Sequence, residues 1–383
     1  MIRVKGAGAG DSKLYSLFPN PCSLYIHVPF CERKCGYCSF YSVAAGHSVT
    51  DKRGVNSWLE AVKREAESYS RHGRINLSTL YIGGGTPTVL TLSEWESLMS
   101  IIRENFGTSS ITEATTEANP NSLTPEHAAF FRENNFTRIS LGVQSMNDPE
   151  LLTLGRIHDS QSARNAMKLV KSSGLSLSCD LIFAIPGQTL RTWDYSLRCI
   201  MDYADHISCY QLTLETGAPM FEKYGGDDLN NAGYKFYRYA QYILPRHNFT
   251  QYEISNFASP GHECRHNLAY WNHSDVIALG PSAVSYIDGV RYTNPRTLHE
   301  YLAGNEPVKE ELSPRESEIE LAILSLRTRF GVSRKNLLPE IEKAVKEMPP
   351  DLFVITPERI ALSPRGMRLG NYIWSEIILY AES

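Results

Sequence analysis

The sequence predicts an α/β protein in which an open, partial (β/α)6 barrel is followed by an α+β C-terminal region. Strand-like and helix-like segments alternate up to about residue 215, which predicts a parallel sheet covered by helices. The pattern changes after that point, and 383 residues can form one large domain and an appendage. Six strand and helix units are too few to close like an eight-fold barrel, so we expect an open one.

Hydrophobic periodicity and capping residues predict the elements of the barrel. Ser93 and Glu96 have the spacing of a capping box at the start of the second helix, and Gly174 ends the fourth. The strands are predicted at 24–28, 77–82, 111–116, 138–143, 175–182 and 206–214, and the helices at 55–69, 93–106, 125–134, 160–173 and 190–203.

Beyond residue 215 the sequence predicts a less regular region whose tail resembles a winged-helix-like module. We expect a loop at 221–231, a helix at 234–244, short strands and turns at 250–295, a compact helical segment from about 316, a hairpin at 352–362 and a helix at 365–380. These boundaries divide the chain into a flexible N-terminus at 1–21, the barrel at 22–215, a barrel extension at 216–305 and a C-terminal domain at 306–383.

Composition excludes several classes of protein. The net charge is −4 and 42% of the residues are hydrophobic, which is ordinary for a globular protein. Residues 310–383 hold 10 Lys and Arg against 12 Asp and Glu, so we expect no nucleic-acid partner. No apolar run has the length of a membrane span, and residues 1–21 lack a signal-peptide core. The eight cysteines do not form a disulfide framework, and we expect a cytoplasmic protein.

Three cysteines have the spacing Cys31-x3-Cys35-x2-Cys38. Three thiolates can hold three corners of a cubic iron–sulfur cluster and leave the fourth iron open, whereas electron-transfer clusters usually take four cysteines. A structural zinc site would want four protein ligands, usually in two pairs. The alternative of three ordinary buried thiols predicts no particular spacing. The pattern therefore favours a cluster with chemistry at its open iron.

This spacing, together with the flank Tyr25-x-His27-x-Pro29-Phe30, resembles the radical S-adenosylmethionine (SAM) enzymes, and among them the oxygen-independent coproporphyrinogen III oxidase group. The resemblance runs from about Ser23 to the C-terminus. It implies a [4Fe–4S] cluster on the three cysteines, with SAM bound at the open iron and cleaved to a 5′-deoxyadenosyl radical. It also implies the partial (β/α)6 fold.

Polar residues at the predicted strand ends form the candidate SAM pocket, because sites in such folds lie at the carboxyl ends of the strands. The second strand is followed by three glycines, which let a backbone approach a ligand and present its N–H groups. An arginine fork suits the SAM carboxylate. Each residue alone could equally be a surface charge or a cap. The resemblance implies a SAM pocket lined by Tyr25, Gly84, Gly85, Thr86, Glu117, Gln144, Arg156 and Asp180.

The segment His266-Asn267-x-x-Tyr270-Trp271 is similar to a motif associated with heme in a heme-chaperone branch of this group. A neutral histidine can ligate heme iron, and aromatic faces suit a porphyrin. From the residues alone, the alternative is that Tyr270 and Trp271 pack a seam between barrel and tail, with His266 hydrogen-bonded in place.

The sequence differs from the family pattern at two positions, one that bears on the choice between oxidase and chaperone and one that bears on the heme ligand. Phe40 stands where the oxidases usually carry a fourth cysteine, and the chain begins without their long N-terminal segment; both points favour the chaperone branch. Family members often carry Ala-His-Ser where this chain has Val284 between alanine and serine. Nearby side chains that could substitute for the missing histidine are His262, Cys264 and His273.

Two functions are therefore predicted. The first is a chaperone that binds heme and transfers it to a heme-requiring apoprotein, such as a respiratory one, while retaining the cluster and SAM. The alternative is an enzyme that decarboxylates the propionates of coproporphyrinogen III. The first predicts no porphyrinogen turnover. A homodimer is compatible with either.

Overall fold

The computed structural model describes residues 21–44, 52–71, 73–216, 218–225 and 227–382. The N-terminus predicted to be flexible lies outside them, apart from residue 21. The strands are β1 Cys22–Val28, β2 Phe30–Cys31, β3 Val43–Ala44, β4 Ile75–Gly84, β5 Phe106–Gly107, β6 Glu113–Ala118, β7 Arg138–Gln144, β8 Ser176–Phe183, β9 His206–Gln211, β10 Thr250–Gln251, β11 Asn256–Ala258, β12 Val276–Leu279, β13 Val284–Ile287, β14 Val290–Thr293, β15 Val308–Glu311, β16 Val332–Ser333, β17 Phe353–Ile355 and β18 Arg359–Leu362.

Fourteen α-helices accompany these strands in the described residues. They are α1 Lys52–Ser70, α2 Leu92–Asn105, α3 Pro125–Glu133, α4 Asp148–Thr153, α5 Ser160–Ser173, α6 Leu190–Met201, α7 Phe221–Tyr224, α8 Asp227–Ile243, α9 Arg265–Trp271, α10 Leu298–Leu302, α11 Pro314–Leu326, α12 Pro339–Glu347, α13 Pro364–Arg368 and α14 Gly370–Glu382.

The predicted α/β architecture is confirmed. Strands β1, β4, β6, β7, β8 and β9 are neighbours in that order and run parallel, with a helix between most consecutive pairs. The sheet continues at both ends, where β12 pairs parallel with β1 and β11 pairs antiparallel with β9. The short strands after residue 250 are therefore part of the barrel sheet itself, and β12 is a seventh parallel strand that periodicity did not reveal.

The two faces of the parallel strands differ in polarity. On β8, Leu177, Cys179 and Leu181 belong to the large hydrophobic core beneath the helices. The alternating residues Ser178 and Asp180 face a cavity on the other side of the sheet. This period of two fixes which side chains enter the barrel interior.

Two local predictions are wrong. Helix α2 is capped by Thr91 and Glu94, whose side chains and backbone N–H groups form reciprocal hydrogen bonds. The turn before this helix ends at Leu90, so the helix begins two residues earlier than the predicted capping box at Ser93 requires. The segment 221–231 is mostly helical rather than a loop. Phe236 and other apolar residues of α8 anchor that helix in the core, so it propagates back through the polar segment.

Two further boundaries differ from the prediction. Helix α9 occupies part of the segment predicted to hold only strands and turns, because its one buried side chain gives no helical periodicity. The last predicted helix is two helices, α13 and α14, which are separated at Leu369, where the backbone leaves helical geometry.

The C-terminal region has a hydrophobic core of its own, formed by residues of α11, α12 and α14 and of the sheet β16–β18–β17. The hairpin of β17 and β18 is as predicted. The winged-helix-like character of this region and the domain boundaries remain predictions. Within the part of the chain that the structure describes, no helix is both long and apolar enough to cross a bilayer.

Glu65 on α1 fastens the extension of the sheet to the barrel. Its carboxylate accepts hydrogen bonds from the Tyr301 hydroxyl at 2.6 Å, the Asn294 amide at 2.7 Å and the Gly280 N–H at 3.0 Å.

Glu65→Ala leaves these donors without their acceptor, so we expect a loss of about 2–4 kcal/mol in the free energy of unfolding, measured by urea denaturation. Glu67→Ala, at an exposed position of the same helix, should cost less than about 0.5 kcal/mol. Equal losses in the two variants would contradict this role.

Candidate functional site

The three motif cysteines lie in the loop that begins at the end of β2. All three are free and half-buried. The Cys38 N–H bonds the carbonyl of Cys35 at 3.2 Å, which closes a turn between them. Polar donors from neighbouring loops reach the sulfurs: Thr86 Oγ1 is 3.5 Å from the Cys31 Sγ, and Arg156 Nη1 is 3.3 Å from the Cys35 Sγ.

The three thiols of this loop fit a cluster that is held by three cysteines. Burial raises the pKa of Cys31 and of Cys38, so their thiolates need positive charge nearby. In the described ranges, no group of three or more His, Cys, Asp or Glu side chains converges as the ligands of one metal ion do. Three free thiols in one loop, two of them with a side-chain donor, match the ligation of a cluster by three cysteines that leaves one iron open.

A cavity of about 430 Å³ extends from the cysteine loop into the barrel interior. Among its lining residues are Cys31, Cys35, Cys38, Gly84, Gly85, Thr86, Glu117, Gln144, Arg156, Asp180 and Asn267. Four other predicted site residues, Tyr25, His266, Tyr270 and Trp271, lie outside this lining in the described part of the chain. The barrel therefore gathers most of the predicted SAM residues and the cysteines around one space, and only one residue of the His-Asn-x-x-Tyr-Trp motif.

The glycine loop after β4 holds the cysteine strand. The Gly85 N–H donates to a carbonyl of β1 at 2.8 Å, the Thr86 N–H to the Phe30 carbonyl at 2.7 Å, and the Gly84 N–H to Glu117 at 3.0 Å. A Cβ atom at Gly85 would lie 2.4 Å from the Phe30 oxygen, so only glycine allows this approach. The expectation that these N–H groups face a ligand is therefore wrong, because they bind neighbouring strands.

Arg156 is the centre of a network that joins three loops. Its Nη2 donates to Asn119 Oδ1 at 2.6 Å and to the Gly142 carbonyl at 3.0 Å. Asn119 in turn donates to Thr86 Oγ1 at 2.9 Å. Asn119 was missed by the sequence analysis, although it is a polar residue directly after β6 and only two residues beyond Glu117. This network links the glycine loop to the arginine that contacts Cys35.

Two carboxylates face each other across the cavity. Glu117 accepts from the Tyr81 hydroxyl at 2.9 Å, and Asp180 accepts from the Ser140 hydroxyl at 3.1 Å. Burial, and then the charge of Asp180, raises the pKa of Glu117 to about 7. Burial raises the pKa of Asp180 to about 6, although hydrogen bonds from Ser208 and Ser140 oppose the shift. A ligand that presents an ammonium group or hydroxyls would stabilise their ionised forms.

The His-Asn-x-x-Tyr-Trp motif forms helix α9. His266 is only 1% exposed, its Nδ1 lies 2.8 Å from Thr79 Oγ1, and its ring stacks on Tyr81 with centroids 5.1 Å apart. Burial lowers the pKa of His266 to about 3, so the ring is neutral at physiological pH. Trp271 lies under Arg327, whose guanidinium carbon is 4.3 Å from the ring centroid. This is the seam arrangement that the residues alone suggested.

The three side chains proposed to replace the missing histidine are dispersed. His262 contacts Ser176 at 3.0 Å, and His273 contacts Glu320 at 3.0 Å. Cys264 is buried and lines the cavity. Val284, on β13, is 36% exposed. The described geometry therefore does not bring these side chains together around one ligand.

Comparison with known proteins shows which family the sequence and the fold resemble. The sequence matches the radical SAM superfamily over residues 25–200. Proteins named heme chaperone HemW are similar to this chain over most of their length. The protein from Synechocystis is 34% identical, and the match covers 85% of this chain and 82% of that protein. The protein from Mycobacterium tuberculosis is 32% identical, and the match covers 92% of this chain and 94% of that protein. The solved structure of coproporphyrinogen III oxidase (HemN) from Escherichia coli has a TM-score of 0.82 at 21% identity, covering 97% of this chain and 93% of that one, which shows a shared fold.

The raised pKa of Glu117 predicts a pH-dependent cost of its ionisation. The unfolded chain loses this proton near the ordinary value of 4.5, whereas the folded chain keeps it up to about pH 7. Stability therefore falls as pH rises between these values. Because the side chain lines an open cavity, we expect Glu117→Gln to gain only about 1–2 kcal/mol relative to wild type across that range, measured by urea denaturation of cluster-free protein. A difference that does not change with pH would contradict the shift; exposed Glu67→Gln is the control.

Proposed function

This chain belongs to the HemW heme-chaperone family of the radical SAM superfamily, and from that premise we propose that it binds a [4Fe–4S] cluster, SAM and heme, and delivers the heme to an acceptor protein. The observation that carries the proposal is the loop of three free cysteines at one end of a polar barrel cavity. A heme-requiring apoprotein, such as a respiratory one, is the proposed partner. A cytoplasmic location is proposed because the eight cysteines of the described chain are free.

Cys31, Cys35 and Cys38 would hold the cluster. Bound there, it would supply an open iron and one-electron reduction of SAM. Arg156, which donates to the Cys35 sulfur, would stabilise the negative charge of that thiolate. Thr86 does the same for Cys31.

The cavity-lining residues would hold SAM. Arg156 would pair with its carboxylate, and Glu117 and Asp180 would accept from its ammonium group or ribose hydroxyls. All three groups line the cavity. The other residues proposed to contact SAM are Tyr25, Gly84, Gly85, Thr86 and Gln144.

The proposed heme residues are His266, Asn267, Tyr270 and Trp271. Of these, Asn267 lines the cavity, while the ring of His266 is enclosed between Thr79 and Tyr81. Ligation of iron by His266 would therefore require α9 to move from β4. Phe40 is 66% exposed beside the cysteine loop, where the alternative decarboxylase would have a fourth cysteine.

Substitution of one motif cysteine tests the cluster. We expect Cys35→Ala to lose stable [4Fe–4S] binding after anaerobic reconstitution, measured by iron and sulfide content and by visible absorbance, because two thiolates hold a cubic cluster poorly. Cys199→Ala, at a half-buried cysteine outside the motif, should retain the full iron complement. A full complement in Cys35→Ala would rule out the proposed ligand set.

Titration of heme tests the chaperone function. We expect reconstituted protein to bind heme saturably, followed by its absorbance band, and His266→Ala to weaken that binding. His127→Ala on α3 is the control, because it removes another buried histidine that stacks on an aromatic ring. If wild type binds no heme but converts coproporphyrinogen III, the alternative enzymatic function replaces the chaperone.

A further inference from the structure

We infer that His266 and Tyr81 are positioning residues for Glu117, so that the His-Asn-x-x-Tyr-Trp motif shapes the SAM pocket from the floor of the barrel. The inference rests on the proposed SAM site. It concerns a different role from heme ligation and involves a different set of contacts.

The start of α9 is fixed to the bottom of the barrel. Glu113 at the start of β6 accepts the N–H groups of Arg265 and His266, each at 3.0 Å. Glu113 also lies 3.5 Å from Arg138 on β7, and both side chains are almost fully buried. This pairing holds the first turn of α9 against two strands, and it determines where the His266 ring enters.

The His266 ring is held in one orientation. The Thr79 hydroxyl donates to Ser23 Oγ at 2.8 Å, so its oxygen accepts from His266 Nδ1–H. The other ring nitrogen, Nε2, is buried without a hydrogen-bond partner among the described residues. The ring packs flat on Tyr81, at an interplanar angle of 27°, and edge-on to Tyr270 with centroids 5.3 Å apart. A neutral, enclosed ring of this kind acts as a rigid support.

Tyr81 transmits that support to Glu117. Its hydroxyl donates to Glu117 Oε1, while the Gly84 N–H donates to Oε2, so each carboxylate oxygen has one fixed donor. Gly83 restricts the same side chain, because a Cβ there would lie 2.7 Å from Glu117 Oε1 and 2.8 Å from Tyr81. The carboxylate can therefore turn little, and its direction into the cavity depends on Tyr81.

The charged state of Glu117 depends on the same contact. The Tyr81 hydrogen bond opposes the rise in the pKa of Glu117 that burial and Asp180 cause. The titratable groups facing Glu117 are Tyr25 on β1, Tyr81 on β4, Asp180 on β8 and Tyr210 on β9. Burial raises the pKa of each tyrosine well above 10, so they stay neutral, and of these described groups only Asp180 shares the titration range.

SAM affinity measured as a function of pH tests the inference. Reconstituted protein is dialysed against radiolabelled SAM from about pH 6 to about pH 8.5, which spans the Glu117 titration. We expect Tyr81→Phe, which keeps the ring and removes the donor, to weaken SAM binding about tenfold near neutral pH and to move the pH midpoint of binding upward. His266→Ala should move it in the same direction, and His266→Phe, which restores a flat ring, should recover part of the loss.

The stacked pair His273 and Tyr286 provides matched controls, because its centroids are 4.1 Å apart and it lies outside the cavity lining. Tyr286→Phe and His273→Ala should leave both affinity and midpoint unchanged. Wild-type affinity and midpoint in Tyr81→Phe would overturn the inference while leaving the SAM site intact. Loss of heme binding in His266→Ala with unchanged SAM binding would also overturn it, in favour of iron ligation. Absence of SAM binding by wild type would overturn both the SAM site and the inference.

Discussion

The site depends on one constraint, the register of the parallel strands, which puts polar side chains on the inner face and apolar ones on the outer face. On β7, Ile139 and Leu141 enter the hydrophobic core while Arg138 and Ser140 line the cavity. A slip of one residue would exchange the two sets. It would bury an arginine among apolar side chains, which is costly. The same alternation that stabilises the helix packing therefore also builds a polar interior.

Buried charged groups need partners of opposite charge or hydrogen-bond partners, and the charged side chains of the barrel interior differ in which of these they have. Near the bottom, Glu113 lies against Arg138 and receives backbone donors from α9. Near the cysteine loop, Arg156 is held by Asn119 and by a backbone carbonyl. Between these positions the two carboxylates have hydrogen-bond donors but form no salt bridge among the described residues, and burial raises the pKa of both. A ligand with a positive charge would therefore stabilise the ionised carboxylates between the cysteine loop and the barrel floor.

Helix α9 connects the polar cavity to the C-terminal region. One end of the helix supports Tyr81 through His266, and the other end packs Trp271 beneath Arg327, which follows α11. Arg327 also lies 3.8 Å from Glu253, a fully buried carboxylate whose pKa burial raises to about 7. A short helix with aromatic residues at both ends thus contacts barrel strand β4 and the C-terminal region at once.

The resemblance to the radical SAM enzymes implied which polar residues would line the cavity, whereas the sequence by itself determined the α/β order, most strand positions and the polar character of the strand ends. These follow from local patterns: a period of two, turn glycines, and polar residues placed just past apolar runs. The cysteine spacing is local in the same sense, since all three lie within eight residues. Such features do not depend on distant parts of the chain.

Only the tertiary structure decided the roles of β12, Asn119 and His266. β12 joins β1 from about 250 residues away, and His266 meets Thr79 across a separation of 187. The tertiary structure likewise showed that the N–H groups of the glycine loop bind neighbouring strands rather than a ligand. The physical reason is that a hydrogen-bond donor has no preferred partner in sequence, and burial selects its partner only when the strands and helices have packed.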